Sequence, residues 1–130
     1  MKPDIAAVED IRLFVDEFYA RVGKNELIGP IFNEKLEGHW DAHLQKMYRF
    51  WQTILLHEHT YSGSPFLHHM KLPIYKEHFS IWLDLFHQTI DTHFEGPVAE
   101  EAKSRAGKMA LMFEAKLDYL RSNPDTIPLV

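Results

Sequence analysis

Apolar side chains return every third or fourth position along four long blocks of this chain, and nowhere do they alternate for long enough to line one face of a strand. The first block runs Ile11, Phe14, Val15, Phe18, Tyr19 and Val22, one face of a helix that Gly23 and Lys24-Asn25 then weaken. Gly29-Pro30 reads as a definite break ahead of Ile31-Phe32. A second helix is predicted from near Trp40 to about His57, with His43, Met47, Phe50, Trp51, Ile54 and Leu55 facing inward. The third shows Phe79, Trp82, Leu83, Phe86 and Ile90, and Gly96-Pro97 separates it from the fourth. That last block carries Val98, Ala102, Arg105, Ala106, Met109, Phe113, Leu117 and Leu120, and Asn123-Pro124 stops it. Between the second and third blocks, Tyr61, Gly63 and Pro65 read as loop. A turn or so of helix follows through Phe66 to Met70, ended by Leu72-Pro73. The expectation is an all-α fold of about four main helices. It forms a single domain over 1–130, with 1–8 as an N-terminal extension and 124–130 as a loosely ordered tail.

A chain of 130 residues buries a core of its own but leaves no room for a second catalytic module, so any electrons for a reaction must come from a partner. The formal charge of −5 and the scattered basic residues lack the electrostatic footprint of a nucleic-acid binder. Without cysteine there are no disulfides, thiolate ligands or iron–sulfur clusters. Met1-Lys2-Pro3-Asp4 leads into an acid-containing amphipathic segment rather than a signal sequence, and no apolar run nears membrane-spanning length, which points to the cytoplasm. What stands out is the aromatic content: nine Phe, five Tyr and three Trp exceed what a minimal helical core requires.

Histidine is also abundant. His57, His59, His78, His87 and His93 fall at helix ends or off the apolar stripes and form a background. His39 and His43, four apart, share a helix face as zinc-binding pairs do. A helical zinc hydrolase would want Glu after the first histidine, where Trp40 stands, and the inward Glu-x-x-His pairs of a di-iron bundle do not recur. A non-haem helical metal protein is therefore a remote alternative. The pair His68-His69 sits on a short helix inside a loop, an odd thing to build for packing alone, while Tyr19 and Trp82 put polar groups on inward faces.

In order along the chain stand Ile28-Gly29-Pro30-Ile31-Phe32, Trp40-Asp41-Ala42-His43, Phe50-Trp51, Tyr61-x-Gly63-x-Pro65, His69-Met70-Lys71-Leu72-Pro73, and Phe79 through Trp82-Leu83-x-Leu85-Phe86. This set, with these gaps, resembles the group III truncated haemoglobins from about Ile11 to Phe113. The resemblance implies a shortened globin fold, a two-over-two helical sandwich around a b-type haem, without the paired glycines of other truncated groups; no Gly-Gly pair occurs here. Carried over by position, the His-x-x-Leu-Pro pattern makes His69 the proximal iron ligand, braced by Leu72 and Pro73, whereas His68 does not match. The implied distal pocket is Tyr19, His43 with Met47 one turn on, and Trp82.

The residues suit that role. A haem is a flat apolar disc with an anionic edge; Phe32, Phe50, Trp51, Phe79 and Phe86 would line its slot, and Lys46 could reach a propionate. Iron needs a neutral imidazole whose other nitrogen is held by an acceptor, which a rigid bend can aim. Tyr19 O–H, Trp82 N–H and His43 could each donate to a polarised dioxygen. At about 1.5–3 kcal/mol per bond to a charged acceptor, two donors slow ligand release by orders of magnitude. Slow release makes a poor carrier and suits chemistry on the ligand. That chemistry would be conversion of nitric oxide to nitrate or heterolysis of peroxide, either one with an external reductase. The alternative is a non-catalytic scavenger or sensor of dioxygen or nitric oxide, and carbon monoxide would bind in either case.

Overall fold

The computed structural model describes residues 1–58 and 75–122; among these it holds five helices and no strand. They are α1 (Val8–Lys24), α2 (Gly29–Leu36), α3 (Trp40–Leu55), α4 (Lys76–His93) and α5 (Pro97–Ser122). The predicted loop at Tyr61, Gly63 and Pro65, the turn through Phe66 to Met70, His68, His69, Leu72, Pro73 and the Asn123-Pro124 stop lie outside the described residues. Helix α1 packs on α3, α4 packs on α5, and α1 also crosses α4, which joins the two pairs. This is the all-α, two-over-two arrangement expected.

Apolar periodicity explains which faces turn inward. All six anticipated residues of α1 are buried, and α3 buries Met47, Phe50, Trp51 and Leu55 as expected. Tyr48 joins them, because its hydroxyl donates to the Asp16 carboxylate of α1 and its ring lies 5.5 Å below the Arg12 guanidinium. On α5 the buried stripe is Ala99, Ala102, Ala106, Ala110, Phe113 and Leu117. Four small side chains in that run let α4 approach closely. Arg105, expected within this stripe, is instead exposed, with its guanidinium 3.7 Å from Glu101 one turn back. A guanidinium with a carboxylate partner in water gains nothing by entering an alanine seam.

Gly29-Pro30 also differs from expectation. The pair does not interrupt structure but opens α2, an eight-residue helix with proline in its first turn, where the missing N–H is harmless. Asn25 makes the link, its side-chain oxygen accepting from Leu27 N–H at 2.9 Å and Ile28 N–H at 3.1 Å. Glycine is needed because α2 begins against the end of α1. A Cβ at Gly29 would lie 2.8 Å from the Gly23 carbonyl oxygen and 3.0 Å from that of Val22.

The N-terminal residues are stitched to the far end of the fold. Asp4 accepts from Val98 N–H at 3.0 Å and Ala99 N–H at 2.8 Å, so a distant carboxylate caps α5 at the positive end of its dipole. Its side chain packs where a Cβ on Gly96 would stand, 2.6 Å away, and Gly96 itself adopts φ +134°, a conformation open mainly to glycine. Ile5 is buried beside it. Burial pushes the Asp4 carboxyl up, but hydrogen bonds from Val98, Ala99 and Ile5 outweigh that and hold it below the usual carboxylate value.

Removing this cap in Asp4→Ala should cost about 1 kcal/mol in urea unfolding. Asp4→Asn keeps an acceptor but not the charge. A depressed native pKa gives stability that is present above the unfolded value and lost as pH falls through the folded one. The gap between wild type and Asp4→Asn should therefore hold steady above about pH 5 and shrink as pH falls below the ordinary carboxylate value of about 4. A gap independent of pH would show that the charge adds nothing to the cap.

Candidate functional site

Helices α1, α3 and α4 meet through rings. Phe14 packs edge-on against Trp51 and Phe86, each at 5.8 Å between centroids, while Trp51 and Phe86 stack at 5.2 Å. Phe86 stacks in turn on Trp82 at 6.0 Å and meets Phe18 at 5.3 Å. Phe50 rests edge-on against Trp51 at 5.3 Å. Each ring is supplied by a helix stripe whose spacing points it inward, so side chains far apart in sequence form one aromatic layer.

The polar groups sit at the edge of this layer. From α1, Tyr19 contacts Phe18 at 4.9 Å and reaches His43 of α3, ring to ring at 5.0 Å and nearly perpendicular. Trp40, at the start of α3, closes on both, 5.9 Å from Tyr19 and 6.5 Å from His43. Phe18 also touches Trp82 at 5.4 Å, so one phenyl ring links the Tyr19–His43 pair to the indole. Burial raises the Tyr19 pKa far above that of a free phenol, and the hydroxyl stays protonated, hence a donor, at any physiological pH.

Beyond Trp82 lies an apolar cavity between α2, α4 and α5. Phe32, Phe79 and Trp82 line it, with Ile28, Ile31, His78, Ala110 and Phe113. Of the anticipated cofactor-contacting residues, Phe32 and Phe79 share this cavity with Trp82, which was expected in the distal pocket, while Phe50, Trp51 and Phe86 form the layer behind it. Met47 is buried one turn beyond His43. Lys46 is exposed and does not line the cavity. His69 and Leu72 fall outside the described residues.

Sequence reasoning passed over Phe18, which read as one core residue among many although it bridges both halves of the site. It also set His78 among the background histidines. In the structure His78 lines the cavity, and its Nδ1 accepts from the Tyr75 N–H at 2.8 Å, securing the start of α4. His93 has a partner too, its Nε2 lying 2.5 Å from Glu17 Oε2 across α1 and α4. His39 is exposed while His43 turns inward, and no cluster of three or more metal-ligating side chains occurs among the described residues.

The chemistry of this wall suits a flat aromatic cofactor such as haem. The cavity lining holds no carboxylate and is dominated by apolar and aromatic side chains, and neutral donors gather at one end of the aromatic layer. Comparison with known proteins points the same way. The family model described as bacterial-like globin matches residues 4–115. Group 3 truncated hemoglobin ctb of Campylobacter jejuni is 32% identical over 121 residues, covering 90% of this chain and 95% of the relative. The crystal structure of the group III truncated hemoglobin from Campylobacter jejuni superposes with a TM-score of 0.80 at 32% identity, over 90% of this chain and 95% of that one. Among the described residues no helix is long and apolar enough to cross a membrane.

The state of the phenols can be checked directly. Burial, then the hydrogen bond to the Asp16 carboxylate, push the Tyr48 hydroxyl up to about 12. Tyrosinate absorbance of Tyr19→Phe and Tyr48→Phe should therefore follow that of the wild type up to about pH 11, since neither lost phenol ionises in that range. Stability should fall above about pH 10, where the unfolded chain releases protons that the folded protein keeps. A Tyr19→Phe curve one phenol short at about pH 11 would mean that Tyr19 is open to water.

Proposed function

The chain belongs to the bacterial-like globin family as a group III truncated haemoglobin, a haem protein that binds diatomic gases, and from this we propose that it retains dioxygen for reaction rather than delivery. Haem iron supplies the reversible binding of dioxygen, nitric oxide or carbon monoxide and the electron chemistry that consumes them. In our reading the group is haem b, His69 is its protein ligand and Leu72 braces that histidine. Phe32 and Phe79 belong to the wall behind the disc, with Met47, Phe50, Trp51 and Phe86 deeper in, and Lys46 is the cation for a propionate.

The observation that carries this proposal is the buried, protonated phenol of Tyr19 in edge contact with His43. A hydroxyl in that setting has little water to compete for it, so it donates strongly to a ligand that gains negative charge. Trp82 adds an N–H from the other side of Phe18, and His43 can donate or accept a proton. Donors held by three different helices are in place before the ligand arrives and need not reorganise. Strong retention favours a reaction in which dioxygen, nitric oxide and a single electron give nitrate, the electron coming from an external reductase. His43 beside Tyr19 also supplies the base and donor that breaking a peroxide O–O bond requires.

Purified protein should show a Soret band that shifts when it is reduced under carbon monoxide, and His69→Ala should abolish the native spectrum. Tyr19→Phe should speed dioxygen dissociation about tenfold or more, the equivalent of about 1.4 kcal/mol of lost hydrogen bonding. With a reductant present, nitric oxide consumption should continue through many turnovers. Consumption that ends after a single equivalent would identify a scavenger or sensor instead, and an unchanged dissociation rate in Tyr19→Phe would remove the basis of the proposal.

A further inference from the structure

Tyr19 has a second side. An open groove of about 520 Å³ runs between α1 and α3, with Tyr19, Trp40 and Leu44 among the residues that line it. Trp40 and Tyr19 are also rings in contact with His43. One layer of side chains therefore separates this groove from the polar end of the site. On the α4 side the barrier is far thicker, because Phe14, Phe86, Trp51 and Trp82 stand ring behind ring, with Phe14 and Phe86 almost wholly inaccessible.

The groove is kept open by small residues. Ala20 and Gly23 lie one turn apart on α1 and line it. Ala20 is exposed, so no packing contact limits its size. At Gly23 a Cβ would meet only the Asn33 side-chain oxygen, at an ordinary 3.4 Å, so neither a steric clash nor a positive φ calls for glycine there. Glycine in a helix costs up to about 1 kcal/mol relative to alanine, a cost that local packing does not explain. The rings over the site meet edge to face, and a modest turn of the partly exposed Trp40 indole would part them.

We propose that diatomic ligands enter and leave the distal pocket through the α1–α3 groove, with Trp40 and Leu44 as the shutter over Tyr19. The route rests on the haem-globin reading above, and it assigns Trp40, Leu44, Ala20 and Gly23 to ligand access rather than to ligand stabilisation. A residue on the path that never touches the bound ligand must change entry and exit by the same factor, leaving affinity unchanged.

Flash photolysis of the carbon monoxide complex tests this. Ala20→Trp, on the exposed face of α1, should fill the groove, slow carbon monoxide association and dissociation together by about tenfold and raise the geminate fraction. Leu44→Ala should do the reverse. Kd should stay at the wild-type value in both, and thermal melting of Ala20→Trp should show an intact fold. Unchanged rates in both variants, with only His43→Ala accelerating entry, would place the route elsewhere and overturn the proposal. So would altered rates that track an altered Kd, since they would trace to the pocket itself. A purified protein with no Soret band would overturn the haem reading and the route together, whereas a normal Soret band with unchanged rates overturns the route alone.

Discussion

The crossing of α1 over α3 and α4 is sealed by Phe14, Phe18, Trp51 and Phe86, and the rest of the molecule takes its geometry from that seal. Rings of this size bury a large apolar area each, and truncating one such Phe to alanine typically costs about 3–5 kcal/mol, a substantial part of a small domain's stability. The edge-on contacts of Phe14 and Phe18 with Phe86 fix rotation as well as distance between α1 and α4. Tyr19 follows Phe18 on α1, and Trp82 precedes Phe86 by one turn of α4, so the same packing that stabilises the fold sets both polar groups. Side-chain hydrogen bonds then lock the crossing at its rim, through Tyr48 to Asp16 on the α3 side and Glu17 with His93 on the α4 side.

How much of this was legible in the sequence depends on the range of the cause. The four long helices follow from apolar spacing, a local property, and their faces were readable to the residue on α1. Helix α2 was missed because eight residues give periodicity little to work with, and Gly29-Pro30 looks like punctuation. Both Gly-Pro pairs in fact stand where a helix begins: Pro30 in the first turn of α2, and Pro97 as the first residue of α5. Proline marks the start of a helix as readily as the end of the previous segment. Nothing local could have revealed that Gly29 is needed against the carbonyls of α1, or that Asp4 caps a helix more than ninety positions away. Those are facts of tertiary contact.

For the site, inward placement of Tyr19, His43 and Trp82 was readable, since each lies in or beside an apolar stripe. Their mutual arrangement was not. Phe18 shows why: its helical position says only that it is buried, whereas its role as the ring between Tyr19 and Trp82 exists only once α1 lies across α4. His78 misled in the opposite direction. It sits off the main stripe of α4, yet the first turn of that helix tips it toward the cavity while its Nδ1 serves the backbone. A histidine can thus face an apolar space for reasons of helix capping, without being a ligand.

The family resemblance and the residue chemistry carry different parts of the functional conclusion. Haem and gas binding come with membership of the family; the retention proposed above rests on this chain's own donors. Here the Tyr19 ring is flanked by Phe18, Trp40 and His43, all aromatic and all in edge contact. Rings on these sides limit the water beside the phenol, which would strengthen a hydrogen bond to an arriving ligand. On the proposed route the same rings would have to move to let a diatomic through. The proposed retention and the proposed route thus turn on the same rings, since the donor that would hold the ligand also stands at the inner wall of the α1–α3 groove.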